Sequence, residues 1–300
     1  MSNYHTLTKK FWNQQQKIAP YLFIAPFYIL FIVFMGYPLL SSLIMSFYEM
    51  RGFQSRIYVG FSNFIDLFND PIFWKSAWNT TYFAIGTLTL QLPIALILAL
   101  ILNSKHVKGK NFLRLAFFTP VLVAGVFVAI IFNLIYDQRS GIINNEFVFL
   151  GNEIGWLNDT KYVMPAVILT GVWQWAGFNM IYFIAGLQGI RQDLYEAAAV
   201  DGANWWQAFI HVTLPSLRPV IAFVVVVSMI GSFQLFDLPF ILTNGGEPAD
   251  AGSTIVMYLY KNGFQFMRLG YAATIGWVLF ILIAIISIAQ LKLLGIFREE

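Results

Sequence analysis

Long apolar segments recur along the chain and decide what it can fold into. A helix needs about 20 mostly apolar residues to cross a bilayer, and runs of this kind lie at residues 18–47, 78–102, 112–135, 162–184, 220–242 and 271–294. Of the 300 residues, 58% are hydrophobic and 11% are charged, which leaves too little polar side chain for an ordinary soluble surface. The sequence therefore predicts an all-α integral membrane protein with six transmembrane helices, organised as a single domain over residues 1–300.

Lys and Arg residues in the connecting segments predict the orientation of these spans. Cytoplasmic connections carry an excess of basic residues, and both the N-terminal tail and the connection after the second span contain Lys without any acidic residue. Placing these two segments inside also puts residues 187–219 and both termini in the cytoplasm. Eleven Lys and Arg residues are then inside and seven outside, a bias that supports the assignment.

Residues that usually form catalytic or metal sites are scarce. The chain has no Cys, which excludes disulfides, thiolate metal sites and cysteine nucleophiles. Its histidines, His5, His106 and His211, are far apart and form no metal-binding spacing. The sequence also lacks the GxxxxGK[ST] motif that cradles ATP phosphates. We therefore expect no catalytic residue, cofactor or metal in this chain, and no nucleic-acid partner.

One outer segment predicts a short helix on the membrane surface. In the stretch GFSNFIDLFNDP, Phe64, Ile65 and Phe68 fall on one helical face, Ser62 is placed to cap the helix, and Pro71 follows it. An apolar face of this kind is typical of helices that lie in the membrane interface.

The connection between the fourth and fifth spans has the helix caps and turn residues typical of a soluble segment. In the stretch DLYEAAAVDGA, Asp193 is placed to cap a helix and Glu196 occupies the reciprocal capping-box position. Asp201 and Gly202 form a common turn pair that ends this helix. The small alanine side chains around the turn would let another protein approach closely.

A second short helix is predicted directly after the turn. Asn204 and Gln207 repeat the capping-box spacing at its start. Pro215 is expected to end it, because proline disfavours helical geometry in the preceding residue. Residues 187–219 therefore predict two short helices that meet at an angle.

The spacing within this loop resembles the cytoplasmic EAA loop of permease subunits of binding-protein-dependent ABC importers. A Glu-Ala-Ala triplet, a Gly six residues after the Glu and a later Leu-Pro pair carry the likeness, with Val212 where the family usually has Ile. The stretches APFYILFIVFMGYPLLSSLIMSFY, NFIDLFNDPIFWKSAWNTTYF and FDLPFILTNGGEP are similar to the carbohydrate branch, which takes up maltose, multiple sugars and glycerol phosphate. The residues that the resemblance assigns to ATPase coupling are Glu196, Ala197, Ala198, Asp201, Gly202, Ala203, Leu214 and Pro215.

The resemblance implies a division of labour among several subunits. Two permeases, identical or paralogous, would form the pathway, and an extracytoplasmic solute-binding protein would deliver carbohydrate from outside. Two partner ATPase subunits would bind ATP and Mg and move the permease helices through the coupling loop, a rigid-body form of alternating access. The chain itself would then be no enzyme, but an importer subunit surrounded by lipid in the plasma (inner) membrane of a prokaryote.

Aromatic and amide side chains in the fourth and fifth spans predict where solute passes. Aromatic rings stack on sugars, and amides and carboxylates bind sugar hydroxyls. We expect Trp175, Asn179 and Gln234 near the middle of the membrane, and the scarcity of basic residues there favours a neutral solute. Interfacial anchoring or helix packing is the alternative for each residue. The candidates for the path are Trp173, Trp175, Phe178, Asn179, Ser232, Gln234 and Asp237.

Two other classes of protein remain open from the residues alone. An ion-coupled secondary transporter of a small polar solute places ionisable residues within its spans, and Asp237 is the one clear candidate here. A membrane-embedded enzyme needs a convergent set of catalytic groups, and the sequence shows no such set.

Overall fold

The computed structural model describes residues 2–52, 56–104, 106–147 and 154–294, with side chains described from residue 17 onward except at positions 146 and 147. Up to residue 147 the elements are α1 (Ser2–Phe31), a π-helical turn (Ile32–Gly36), α2 (Tyr37–Met45), β1 (Tyr48–Glu49), β2 (Ile57–Tyr58), α3 (Ser62–Phe68), α4 (Pro71–Asn103), α5 (Lys110–Leu122), α6 (Gly125–Ile135) and α7 (Ile142–Phe147). After residue 153 they are α8 (Val163–Gln188), α9 (Gln192–Val200), α10 (Trp205–Ala208), a π-helical turn (Phe209–Thr213), α11 (Leu214–Ser216), α12 (Arg218–Phe233), α13 (Asp237–Leu242), α14 (Ile255–Tyr260), a π-helical turn (Lys261–Gln265) and α15 (Leu269–Leu293).

The predicted all-α membrane fold is confirmed. Among the described residues, four helical stretches are long and apolar enough to cross a bilayer alone, namely Lys17–Met45, Pro71–Asn103, Val163–Gln188 and Leu269–Leu293. Two bent pairs pass the same test only together, Lys110–Leu122 with Gly125–Ile135 and Trp205–Ser216 with Arg218–Phe233, which gives up to six spans. In the second pair, Trp205–Ser216 lies within the loop at residues 187–219. The short strands β1 and β2 form an antiparallel pair outside these spans.

The third predicted span, residues 112–135, is broken in the middle. The axes of α5 and α6 differ by 98°, and the backbone of Val123 between them is extended, with φ −84° and ψ 127°. Pro120 removes one hydrogen bond from the last turn of α5. The expectation of one continuous helix was wrong. The residues at the break are apolar, so hydropathy does not distinguish them from residues of a continuous helix.

The fifth predicted span, residues 220–242, is also interrupted, because α12 ends at Phe233 and α13 begins at Asp237. The carbonyl groups that these interruptions free are bound by side chains, as they must be at membrane depth. Gln174 donates from Nε2 to the Val123 carbonyl at 3.1 Å. Thr254 donates from Oγ1 to the Leu235 carbonyl at 2.9 Å.

Close backbone approach organises the helices around α8. A Cβ atom on Gly177 would lie 1.7 Å from the carbonyl oxygen of Phe117 in α5, so this crossing requires glycine. A Cβ atom on Gly86 of α4 would lie 2.6 Å from Ile168. The helices α4, α5 and α8 can therefore pack at short separations, with small residues at their contacts as is usual between membrane helices.

The short helix α3 covers the residues for which the sequence predicts a helix, with one difference at its start. Ser62 is the first residue of the helix, Phe61 is the N-cap, and no side chain caps it. The capping role expected of Ser62 was therefore wrong. Ile65 and Phe68 are exposed, whereas Leu67 is fully buried against the protein.

Asp70 connects three helices, α4, α14 and α15. It caps α4 by accepting a hydrogen bond from the Ile72 N–H at 2.8 Å, and its carboxylate also accepts hydrogen bonds from the hydroxyls of Tyr258 in α14 and Tyr271 in α15. Burial alone would raise the pKa of Asp70, but the hydrogen bonds outweigh this and hold the pKa below its ordinary value.

The loop at residues 243–254, which the sequence predicts to lie outside, is fastened to the first turns of α4. Lys75 Nζ donates to the Ala249 carbonyl, and Asn79 Nδ2 donates to the carbonyls of Asp250 and Ser253 at 2.9 and 3.0 Å. Thr80 Oγ1 accepts the N–H of Ile255, directly after the loop, at 3.0 Å. Each of these contacts is made to the backbone of the fastened segment.

Candidate functional site

A cavity of about 270 Å³ lies between α4, α8 and α12 in the membrane-spanning part of the chain. Its wall combines aromatic rings with amides and hydroxyls, and no charged residue is among the described residues that line it. The lining residues are Phe83, Thr87, Gln91, Gly171, Trp175, Phe178, Asn179, Val227, Ser228, Gly231, Ser232 and Leu235.

Helical spacing explains why these side chains share one cavity. On α4, Phe83, Thr87 and Gln91 follow one another at i, i+4 and i+8 and so lie on one face. On α8, Gly171 and Trp175 have the same relation. A Cβ atom on Gly171 would come within 3.1 Å of the Phe83 ring, so glycine lets that ring reach α8.

Hydrogen bonds between helices fix the polar part of the wall. Asn179 of α8 donates from Nδ2 to Ser228 Oγ of α12 at 3.1 Å. The hydroxyls of Thr87 in α4 and Ser232 in α12 are 3.3 Å apart and share a hydrogen bond. These contacts connect all three helices across the cavity, so polar side chains are held in place where solute would meet them.

Four of the predicted path residues are brought together here: Trp175, Phe178, Asn179 and Ser232 all line the cavity. The aromatic pair is in edge contact, with the centroids of Trp175 and Phe178 5.8 Å apart. Asn179 is buried and directs its amide toward the hydroxyl of α12 described above.

Three predicted path residues lie elsewhere. Trp173 is 48% exposed and packs on Phe132, with ring centroids 5.2 Å apart, because it projects from a different face of α8 than Trp175. Gln234 is the exposed C-cap of α12. Asp237 is the exposed first residue of α13, where a Cβ atom on Gly125 would lie 3.4 Å from the Asp237 Cβ.

The second span supplies lining residues that the sequence analysis missed. Phe83, Thr87 and Gln91 face the cavity from α4, and Ser228 joins them from α12. Polar residues that recur every four positions on an otherwise apolar helix were the available signal. They were passed over because they are less conspicuous than the Trp-rich fourth span.

The first helix of the loop at residues 187–219 starts differently from the prediction. α9 begins at Gln192 after Arg191, and no side chain caps its N-terminus. The proposed capping box of Asp193 and Glu196 was wrong, because Asp193 lies inside the first turn and pairs with Arg191. The hydrogen bond from Arg191 lowers the pKa of Asp193, and the negative charge near the N-terminus still favours the helix.

The turn after α9 is a Schellman motif. The N–H of Ala203 donates to the carbonyl of Ala198 at 2.9 Å, and the N–H of Gly202 donates to that of Ala199 at 3.1 Å. Gly202 has φ +77°, a left-handed conformation that glycine adopts without strain. The predicted role of Asp201 and Gly202 in turning the chain thus has a specific geometry.

The second helix of the loop has the predicted start but a different end. Asn204 and Gln207 form the capping box, with both reciprocal hydrogen bonds present. Pro215 does not end the helix, which continues through a π-helical turn to Ser216. In that wider turn the Leu214 N–H bonds to the Phe209 carbonyl, and Pro215 follows it within the last turn of the continuous helix.

The loop at residues 187–219 presents exposed apolar side chains. Val200, Trp205 and Trp206 are 87%, 70% and 58% exposed, and the ring of Trp205 stacks on Phe209 with centroids 5.7 Å apart. Glu196, Ala197, Asp201, Gly202, Leu214 and Pro215 are exposed as well, and Ala198 and Ala203 are half-buried. Exposed apolar surface of this kind is typical of a contact with another protein or with the membrane.

A hydrogen bond braces the two helices of the loop. The hydroxyls of Tyr195 in α9 and Thr213 in the π-helical turn are 2.9 Å apart. Leu217, at the junction with α12, is fully buried in a cluster that includes Leu187 of α8. These contacts join the two helices of the loop to each other and pack its junction with α12 against α8.

Residues 91–295 match the protein family described as "Binding-protein-dependent transport system inner membrane component". The chain belongs to this family. The matched region contains most of the cavity wall and the whole coupling loop, so the permease carries both features within the part that defines the family.

Individual relatives cover nearly all of the permease. It is 41% identical over 287 residues to the arabinooligosaccharides transport system permease protein AraP of Bacillus subtilis, covering 95% of this chain and 91% of that one. It is 37% identical to the lactose transport system permease protein LacF of Rhizobium radiobacter, covering 95% and 97%. A crystal structure of a bacterial alginate ABC transporter, in complex with an alginate pentasaccharide-bound periplasmic protein, matches with a TM-score of 0.81 at 25% identity, covering 93% and 95%.

Proposed function

We propose that this permease is the transmembrane subunit of an ATP-driven importer of an uncharged carbohydrate. The observation that carries the proposal is the membrane cavity, which offers aromatic rings to sugar faces and amides and hydroxyls to sugar hydroxyls. No charged residue is among its described lining residues, which favours a neutral solute. Relatives named for arabinooligosaccharides and lactose support a carbohydrate cargo.

The sugar path is proposed to follow the cavity wall. Trp175 and Phe178 would stack on the ring, and Asn179 and Ser232 would bind hydroxyls, joined by Gln91 of α4. Gln234 and Asp237 are exposed at the interruption between α12 and α13, and Trp173 is exposed on another face of α8. We place these three on the surface that meets the second permease or the outer part of the path.

The apolar surface of the coupling loop is proposed to dock on a partner ATPase subunit that binds ATP and Mg, so that the permease itself catalyses no reaction. A second permease, identical or paralogous, and an extracytoplasmic binding protein would complete the importer, as the periplasmic protein does in the alginate complex. The single-domain chain would lie in the prokaryotic plasma membrane with both termini and residues 187–219 in the cytoplasm, as the Lys and Arg distribution indicates.

Two threonines of α4 provide a matched test of the path. Thr87 and Thr89 both donate to a carbonyl of their own helix at 2.8 Å, but Thr87 lines the cavity and Thr89 is exposed. Replacing Thr87 by Val together with Asn179 by Leu removes two polar contacts, each worth about 1 kcal/mol. We expect sugar uptake by the reconstituted importer to fall about tenfold or more, while Thr89→Val leaves it unchanged.

The same preparations show whether the loss concerns the path or the assembly. ATP hydrolysis stimulated by the loaded binding protein should persist in the double variant, because docking and coupling surfaces are untouched. A panel of lactose, arabinotriose and an acidic uronate oligosaccharide should show uptake of a neutral member and none of the acidic one. Normal uptake by the double variant, or preferential uptake of the acidic sugar, would contradict the proposed path.

A further inference from the structure

A second pocket, of about 220 Å³, lies at the opposite end of the bundle from the coupling loop. It is formed where the end of α6 and the residues after it meet residues 157–158 and the start of the loop after α13. In the orientation proposed above, this end faces outside. The polar side chains that line the pocket include Asn133, Gln138, Asn158, Asn244 and Glu247.

The loop that forms one wall is held rigidly by its own hydrogen bonds. Thr243 Oγ1 donates to the Pro239 carbonyl at 2.6 Å and accepts the Gly246 N–H at 2.9 Å. The Glu247 N–H donates to the Thr243 carbonyl at 2.7 Å. Asn244 lies between these contacts with φ +46°, a left-handed conformation that Asn tolerates better than most residues. The polar wall is therefore built in advance of any ligand.

The chemistry of the pocket fits a polyhydroxy compound. Four side-chain amides line the pocket, and although Asn133 donates to the Ile241 carbonyl and Asn158 to Gln138 Oε1, both at 3.4 Å, each of these two amides keeps a second N–H. The carboxylates of Asp137 and Glu247 add acceptors, although Asp137 Oδ1 already accepts hydrogen bonds from Arg139 and Ser140. Glu247 Oε2 is occupied by the Ala249 N–H at 3.2 Å, which orients the carboxylate. No basic residue is among the described residues that line the pocket, so it repels anions and suits a neutral ligand.

The pocket is connected to the membrane cavity through one helix. Tyr136, which lines the pocket, bonds through its hydroxyl to the Ala166 carbonyl at 3.0 Å and to Thr170 Oγ1 at 3.1 Å. The next residue, Gly171, lines the membrane cavity. Two polar compartments thus lie on either side of the same turn of α8.

We propose that this outer pocket is a second carbohydrate subsite, which binds a neutral sugar unit at the mouth of the path before or while another unit occupies the membrane cavity. The proposal rests on the proposed function for the nature of the cargo. It assigns ligand binding to Asn244, Glu247, Gln138 and Asn158, which are separate from the cavity residues described above.

The absence of Cys from the sequence allows a direct test by labelling. Single variants Asn244→Cys and Asn158→Cys are made in the assembled importer in nanodiscs and treated with a membrane-impermeant maleimide. Lactose and arabinotriose are the neutral probes, and digalacturonate is the acidic probe. Asn69→Cys, on an exposed residue at the end of α3, is the matched control outside the pocket.

We expect a neutral probe to slow labelling of Asn244→Cys and Asn158→Cys several-fold, digalacturonate to have no effect, and Asn69→Cys to label at one rate throughout. Adding Glu247→Ala should weaken the protection. The subsite would be overturned if the acidic probe slowed maleimide labelling as much as the neutral probes do. It would also be overturned if only the sugar-free binding protein slowed labelling, or if nothing did. Ser228→Cys in the membrane cavity reports on the proposed path separately, so either site can fail without the other.

Discussion

Substitutions of Gly202 can distinguish two requirements of the coupling turn, its left-handed backbone conformation and close steric contact with a partner. A Cβ atom at this position meets nothing within 4 Å in the described chain, so a side chain would be free of steric conflict within the permease. The cost within the chain comes from the backbone, because φ is +77°. For Ala or Leu this left-handed conformation costs about 1–2 kcal/mol, and for Asn it costs less.

These values predict different orders for two mechanisms. If the turn alone matters, Gly202→Ala and Gly202→Leu should lose the native turn to the same extent, about 5–30-fold in its equilibrium population, and Gly202→Asn should stay close to the parent. If an ATPase subunit packs closely over the turn, the effect should follow side-chain size, with Ala mildest, Asn intermediate and Leu most severe. We expect the second order, because the alanines around the turn expose little bulk.

The measurement is co-purification of the ATPase subunit together with sugar uptake for the three variants at matched membrane levels. Leu should abolish both, while Ala retains part of each. Identical behaviour of Ala and Leu would show that no partner approaches the turn closely. Parental co-purification and uptake in Gly202→Leu would refute the assignment of this loop to coupling.

Two further predictions concern stability. Gly177→Ala should lower the unfolding temperature by the equivalent of about 1–3 kcal/mol, because its Cβ would lie 1.7 Å from a backbone oxygen of Phe117. Gly231→Ala is the control, since its Cβ would meet nothing within 4 Å, and it should leave the unfolding temperature unchanged or slightly raised. Thermal unfolding in detergent is the measurement, and equal losses in both variants would contradict the prediction. The pKa of Asp70 is lowered in the folded protein, so its stabilising contribution is present above its ordinary pKa of about 3.9 and is lost as the pH falls through the lower folded value. Asp70→Asn should therefore reduce the unfolding temperature at pH 7, and its unfolding temperature should be closer to that of the parent near pH 3. A difference in unfolding temperature that stays constant between pH 7 and pH 3 would contradict a stabilising role of the charged carboxylate.

The apolar segments that cross a bilayer could be predicted from the sequence, but their continuity could not. Apolar length identifies a crossing segment because the bilayer core sets the length. It does not reveal a bend at Val123, since the residues around the break are as apolar as a continuous helix requires. The side chain that makes the bend tolerable is Gln174, which lies far away in sequence on α8.

Breaks that the sequence does not reveal also decide which residues of the membrane cavity could be predicted. Trp175 and Asn179 could be identified because they are one helical turn apart on a continuous helix, α8. Gln234 was placed near the middle of a straight fifth span, whereas α12 ends one residue before it. At the coupling loop, local spacing identified the capping box at Asn204 because both of its partners lie within one turn.

The attachment of the outer loop to α4 has a consequence for how such a protein changes over evolutionary time. Since Lys75, Asn79 and Thr80 contact backbone atoms, the second span sets much of the path of residues 249–255, together with loop side chains such as Glu247, which accepts the Ala249 N–H. Substitutions of exposed loop side chains that make no such contact can therefore alter the chemistry of the loop while α4 keeps its path. A descendant could acquire a new binding-protein partner through surface substitutions alone, without a loss of folding stability.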